Sequence, residues 1–296
     1  MSVHSDFETV VPFSVRIPAT QTIPFLFNSP HSGRHYPRRF IASSRLDANG
    51  VRRSEDVFVD ELFTNVVALG APLMMAHFPR AYLDVNREPF ELDPRMFSGD
   101  LPAGINSRSP RVAGGLGTVP RIVAEGQPIY REKLPASEAL ERIEALYMPY
   151  HDCLSALIEE TFDRFGQAIL VDCHSMPSTT RFADAGPTPD IIVGDRFGTA
   201  CHPALSEQAI RLLRDAGFRV AHNRPYAGGF ITERYGRPAH MRHALQIEIN
   251  RALYLDEKTY QRTRDFDALC GTLTVFVEEL SRLPAEWMRA TPAAAE

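Results

Sequence analysis

Ala168-Ile169-Leu170-Val171-Asp172-Cys173-His174-Ser175 is the stretch on which the fold reading turns. Four apolar residues run straight into an acid, a thiol, an imidazole and a hydroxyl. That is the pattern of a buried strand whose end delivers reactive groups. The same pattern recurs on both sides of it. Phe25–Phe27 stops at Asn28-Ser29-Pro30-His31-Ser32-Gly33, Tyr82–Val85 runs into Asn86-Arg87, and Ile191–Val193 ends in Gly194-Asp195-Arg196. Ala244–Ile249 carries Glu248 late in its length. Five strand ends are thus expected to bring polar groups to one rim of a sheet.

The segments between these strands read as helices. Ser54 is placed to cap a helix in which Val57, Leu62, Val66 and Leu69 fall near helical spacing, ended by Gly70. Ser137–Phe165 is helical in composition with a bend expected near Pro149, and Pro203–Ala216 is a further helix. Asp256 is expected to cap a last helix reaching Leu283. Leu73–Phe78 and Arg219–Ala221 complete the strands, and Phe97–Pro128, rich in Gly, Pro, Ser and Arg, reads as a long loop. Its Gly114-Gly115-Leu116-Gly117 run suggests a lid. Strands alternating with helices give an α/β class, a three-layer α/β/α with a mixed, mostly parallel central sheet. Ligands in such folds gather beyond the carboxyl ends of the strands.

The chain has 296 residues, 44% of them hydrophobic and 23% charged, which fits one globular domain over 1–296 with a frayed tail near 291–296. A net charge of -5 without charge blocks implies no nucleic-acid face. No apolar run is long enough to span a bilayer, and residues 1–6 lack a secretory signal, so the expectation is a cytoplasmic protein without a membrane partner. Cys153, Cys173, Cys201 and Cys270 lie far apart, which excludes a thiolate zinc site and a disulfide framework. Cys173 reads as packing. Serine-hydrolase elbows and glycine-rich nucleotide loops are absent from the sequence.

His31 and His174 are the candidate metal ligands, since each closes a strand within a short polar turn; Glu55 or Asp56 can supply a third. Zinc favours imidazole plus one carboxylate, with a fourth position left to water. The same set can hold iron in an oxygenase, although the 25 positions between His31 and Asp56 weigh against that. Glu248 alternates with Leu245, Ile247 and Ile249, so it is either a solvent-facing residue of an edge strand or a general base. Arg87 can fork onto a substrate carboxylate or pair with Asp84 or Glu88. A silent metal-binding protein would need no base, so Glu248 favours an enzyme.

The ordered set Asn28-Ser-Pro-His31-Ser-Gly33, Ser54-Glu-Asp56, Arg80-Ala-Tyr-Leu-Asp84-Val-Asn86-Arg87-Glu-Pro89, Asp172-Cys-His174-Ser175, Gly228-Gly-Phe-Ile-Thr232 with Tyr235-Gly236, and Ala244-Leu-Gln-Ile-Glu248 resembles the N-formylglutamate amidohydrolase family. That family's fold is similar to zinc carboxypeptidases and aspartoacylase. The resemblance covers about residues 25–255. It implies one zinc held by His31, Asp56 and His174, with Asp56 matching better than Glu55. It also implies Glu248 as catalytic carboxylate, Asn86-Arg87 as a grip on a substrate carboxylate, and a place in histidine degradation. Hydrolysis of a small N-acyl amino acid, foremost N-formylglutamate, is the expected reaction; another metal-dependent acylase or peptidase is the alternative. Arg80 would steady the oxyanion. Arg121, Arg131, Arg196 and Tyr226 are further candidates for contact with a dianionic substrate.

Overall fold

A computed structural model describes residues 11–124, 126–180 and 188–283. Its centre is a seven-stranded sheet. The strands are β1 (Phe13–Arg16), β2 (Phe25–Ser29), β3 (Leu73–Ala76), β4 (Ala168–Met176), β5 (Ile191–Gly194), β6 (Val220–His222) and β7 (Arg242–Asn250). Their spatial order is β1-β3-β2-β4-β7-β5-β6. β4 is parallel to both β2 and β7, β6 is parallel to β5, and β7 meets β5 antiparallel. Helices flank this mixed, mostly parallel sheet: α1 (Met148–Phe165), α2 (Pro203–Asp215), α3 (Phe230–Tyr235) and α4 (Phe266–Ser281). No described helix is long and apolar enough to cross a membrane.

Two compact units divide the chain. One comprises Val15–Ser29, Val57–Met74 and the chain from Ser155 onward; the other comprises Pro30–Asp56 and Met75–Leu154 with the residues before Val15. In the first, β4 is buried along all nine residues, and β7 along all but its first. Paired positions share a face, because side chains alternate along a strand and paired residues point the same way. Phe27 pairs with Val171, and Cys173 with Ile247, giving one apolar face. On the other face Asn28 pairs with Asp172, Asp172 with Gln246, and His174 with Glu248. That face changes from apolar Leu26 and Leu170 to polar side chains toward the strand ends. Glu248 is therefore a buried residue of an interior strand, 8% exposed, and the solvent-facing alternative falls away.

In the other unit, Arg142 is wholly buried. Its guanidinium lies 3.8 Å from the Tyr82 ring centre, donates to the Tyr82 carbonyl at 3.0 Å and Tyr130 Oη at 2.8 Å, and pairs with Glu138. His151 Nε2 meets the Val85 carbonyl at 2.8 Å, and Tyr147 Oη donates to the Arg87 carbonyl at 2.7 Å. These contacts clamp the segment that carries Asp84.

Several sequence expectations change. Tyr82–Val85 is not a strand. Tyr82, Leu83 and Asp84 donate to the Pro79 and Thr118 carbonyls, and the Tyr82 and Val85 carbonyls accept from Arg142 and meet His151, in place of a ladder. Arg196 does not reach the common rim: β5 runs against β7, so its exit heads toward the start of β7, where Ala244 N donates to Ala200 O at 2.9 Å. The helix expected after Ser54 is broken into a 3-10 turn at Gly50–Ser54, a short helix at Val59–Leu62 and a second 3-10 turn at Thr64–Val67. Phe58 adopts φ 62°, and the β-branched and aromatic residues there are poor helix formers. Asp256 caps no helix. It pairs in a two-residue strand with Gln261–Arg262 and accepts from Lys258 N at 2.9 Å, a local turn that holds off helix formation until Phe266. The bend near Pro149 is a π turn at Ile143–Tyr147, as expected just before a residue without an N–H.

Candidate metal centre and catalytic carboxylate

His31 lies two residues beyond β2 in a tight turn. Gly33 makes the turn feasible, since a Cβ there would sit 1.9 Å from the Phe78 carbonyl oxygen. His31 O accepts from Asp56 N at 3.0 Å, which ties the two residues together through the backbone. Their side chains face each other, His31 Nδ1 and Asp56 Oδ2 standing 3.4 Å apart. On the other side of the ring, Nε2 is 2.8 Å from Asp84 Oδ1. Asp84 also takes Asn86 N at 2.8 Å and Arg80 Nε at 3.0 Å, with Arg87 Nη2 at 3.5 Å. Burial alone would raise the Asp84 pKa, but Arg87, Arg80 and His31 together hold it well below the usual carboxylate range. An ionised carboxylate can only accept, so His31 Nε2 is the donor and the lone pair lies on Nδ1, facing Asp56.

Glu55 is excluded as the acid beside His31. Its carboxylate receives Arg52 Nε at 2.8 Å, Arg52 Nη2 at 3.0 Å and Tyr36 Oη at 2.9 Å. Asp56 is the acid that faces the imidazole.

His174 repeats the arrangement on β4. Its Nε2 is 2.8 Å from Asp172 Oδ2, while Asp172 Oδ1 accepts from Asn28 Nδ2 at 2.8 Å. An aspartate again orients a histidine through Nε2, which leaves Nδ1 for another partner. Glu248 sits beside His174 in register, and its Oε1 lies 2.9 Å from Gln246 Nε2.

Among the described residues, His31, Asp56 and His174 form the group able to hold a metal; all are buried, and their ligand atoms lie within 4.8 Å of one another. Two imidazoles and one carboxylate suit zinc with a position left for water. Tetrahedral ligands about 2.0–2.1 Å from zinc stand roughly 3.4 Å apart, the separation seen between His31 and Asp56. The three side chains together could hold a metal ion.

The remaining candidates are distributed differently. Arg80 and Asn86 flank Asp84. Arg87 is 8% exposed, and its Nε donates to Leu116 O at 2.7 Å and Nη1 to Asn86 O at 2.6 Å; burial pushes its pKa down to about 10. In the Gly114–Gly117 stretch expected to be a lid, Gly117 is packed, since a Cβ there would lie 2.3 Å from Glu91 O, while Gly114 and Leu116 are exposed. Arg121 pairs with Asp93 at 3.2 Å, and Arg131 Nε donates to Ser44 O at 2.8 Å. Arg196 pairs with Glu233 at 2.7 Å. Tyr226 follows the Arg224-Pro225 bond and is partly exposed. Burial and then the Asp172 charge push the Cys173 thiol well up, so it is no nucleophile. The orienting roles of Asp84 and Asp172, and the amide of Gln246, escaped the sequence reading. So did Arg251, buried with Nε 3.1 Å from Ser175 Oγ. Asp172 and Gln246 were within reach of it, since each lies two positions before a candidate residue on a strand and shares its face.

A mixed sheet with buried, aspartate-oriented histidines and a carboxylate beside one of them defines the class, an α/β protein with a candidate metal site. The N-formylglutamate amidohydrolase family model matches residues 23–255, and the chain belongs to that family. It is 28% identical over 239 residues to N-formylglutamate deformylases of Pseudomonas aeruginosa, across 80% of this chain and 84% of that one, and of Pseudomonas putida, across 79% and 83%. The crystal structure of N-formylglutamate amidohydrolase from Ralstonia eutropha JMP134 superposes with a TM-score of 0.87 at 35% identity, covering 95% of this chain and 99% of that one. A gene product of Agrobacterium tumefaciens shares the fold, with a TM-score of 0.64 at 20% identity over 91% of this chain and 94% of that one.

Proposed function

We propose that this amidohydrolase cleaves N-formyl-L-glutamate to formate and L-glutamate, with one zinc ion held by His31, Asp56 and His174. The observation that carries the catalytic part is Glu248 beside His174 in register, His174 being one of the residues able to hold a metal. The substrate follows from the relatives, whose names specify N-formylglutamate. Zinc in that donor set supplies Lewis acidity and makes water a stronger acid. Glu248 takes a proton from the attacking water as its oxygen bonds to the formyl carbon. It then delivers that proton to the nitrogen as the C–N bond breaks, because an amine leaves poorly unless protonated. Arg80 steadies the negative charge that develops on the carbonyl oxygen. Asn86 and Arg87 hold a substrate carboxylate, and Tyr226 lends a further contact. Arg121, Arg131 and Arg196, which pair with Asp93, the Ser44 carbonyl and Glu233, could add contacts to the second carboxylate of a dianionic substrate.

Formate release from a panel of N-formyl amino acids, run with and without a chelator, tests this reading. N-formylglutamate should be the preferred substrate, and activity should vanish on chelation and return with zinc. Chelator-resistant turnover removes the metal. Preference for a neutral N-formyl amino acid, or for longer peptides, replaces the substrate.

A further inference from the structure

Glu248 has its own support, built from residues outside the metal set. Gln246 is 4% exposed and lies two positions earlier on the same face of β7. Its Oε1 is 2.8 Å from Gly229 N, and its Nε2 is 2.9 Å from Glu248 Oε1. The amide's orientation follows from the chemistry, since a backbone N–H can only donate. The Gln246 atom facing Gly229 is therefore oxygen, and the atom facing Glu248 is the NH2 group.

Gly229 is in turn fixed. Gly194, the Cα partner of Gln246 on β5, lets the 227–229 segment lie directly on the strand; a Cβ there would come within 2.8 Å of the Ala227 carbonyl carbon. Gly228 holds φ 120°, and Gly229 opens α3. We infer that Gln246 is a positioning residue for the hydrolytic reaction. Pinned by the hydrogen bond from Gly229 N to its Oε1, it holds the Glu248 carboxylate in its proton-transfer orientation. This rests on Glu248 being the base.

The test is a double-mutant cycle on the zinc-loaded enzyme. Gln246→Met should lower kcat about 10- to 100-fold, the scale of a misplaced catalytic group, with KM and zinc content unchanged. In a Glu248→Gln background the same substitution should cost no further activity, because its action runs through Glu248. Gln246→Glu, which keeps an acceptor for Gly229 N but sets a second carboxylate against Glu248 in place of the donor, should lose kcat alike and guards against misfolding of the methionine variant. An equal loss in both backgrounds, a rise in KM, loss of zinc, or full kcat in Gln246→Glu would overturn the inference. Full activity of Glu248→Gln alone would instead remove the base itself.

Discussion

Replacing Asp84 with Asn should weaken zinc binding and the fold at once, for separable reasons. Asp84 Oδ1 takes His31 Nε2 and Asn86 N at 2.8 Å each, while Oδ2 faces Arg80 at 3.0 Å and Arg87 at 3.5 Å. An asparagine has one acceptor oxygen, so whichever way it turns, its NH2 group meets donors. Loss of a carboxylate behind a ligating histidine lowers metal affinity about 10- to 100-fold, or roughly 1.4–2.7 kcal/mol. Loss of the charge opposite buried Arg87 should cost the fold about 3–5 kcal/mol, a large part of an ordinary domain's stability. Zinc affinity is read by competition with a coloured chelator, and fold stability by urea unfolding with excess chelator so that metal plays no part. An Asp84→Asn protein that binds zinc as tightly as the parent would show that Asp84 does not orient His31. Unchanged metal-free stability would show that Arg87 does not depend on Asp84.

Three further outcomes are expected. Glu248→Gln should cut turnover about 10²- to 10⁴-fold, to a low residual rate, while zinc content stays at one per chain; near-normal rates would refute the proton-transfer role. Arg87→Ala should chiefly raise KM for acidic N-formyl amino acids, and retention of the parent's selectivity over neutral ones would dismiss the grip. His243 is 1% exposed, and burial, reinforced by His202, pushes its pKa down to about 4. Because the unfolded chain then takes up the proton first, His243 should destabilise the fold as pH falls from about 6.5 to 4, by up to about 3 kcal/mol. In His243→Asn that part of the stability-against-pH curve should flatten; an unaltered slope would reject the assignment.

His31, His174 and Glu248 were legible in the sequence because strand order is written locally. An apolar run that stops at reactive residues says that those residues end up at the mouth of a sheet, and alternation says which of them share a face. The family resemblance rested on the same local strings. Strand direction was not legible: β5 lies antiparallel to β7 through pairing between residues some fifty positions apart, so Arg196 could not be assigned a rim. Nor was the choice between Glu55 and Asp56, adjacent acids of nearly equal chemistry, open to any local rule. Arg52 and Tyr36 decide it by engaging Glu55, and the backbone link from Asp56 N to His31 O turns the other acid toward the imidazole. The sequence by itself determined which residues are the candidates for the chemistry. Tertiary structure alone decided which ring nitrogen His31 turns away from its aspartate, because its Nε2 meets Asp84 across the fold, whereas His174 Nε2 meets a same-face neighbour two positions back on its own strand.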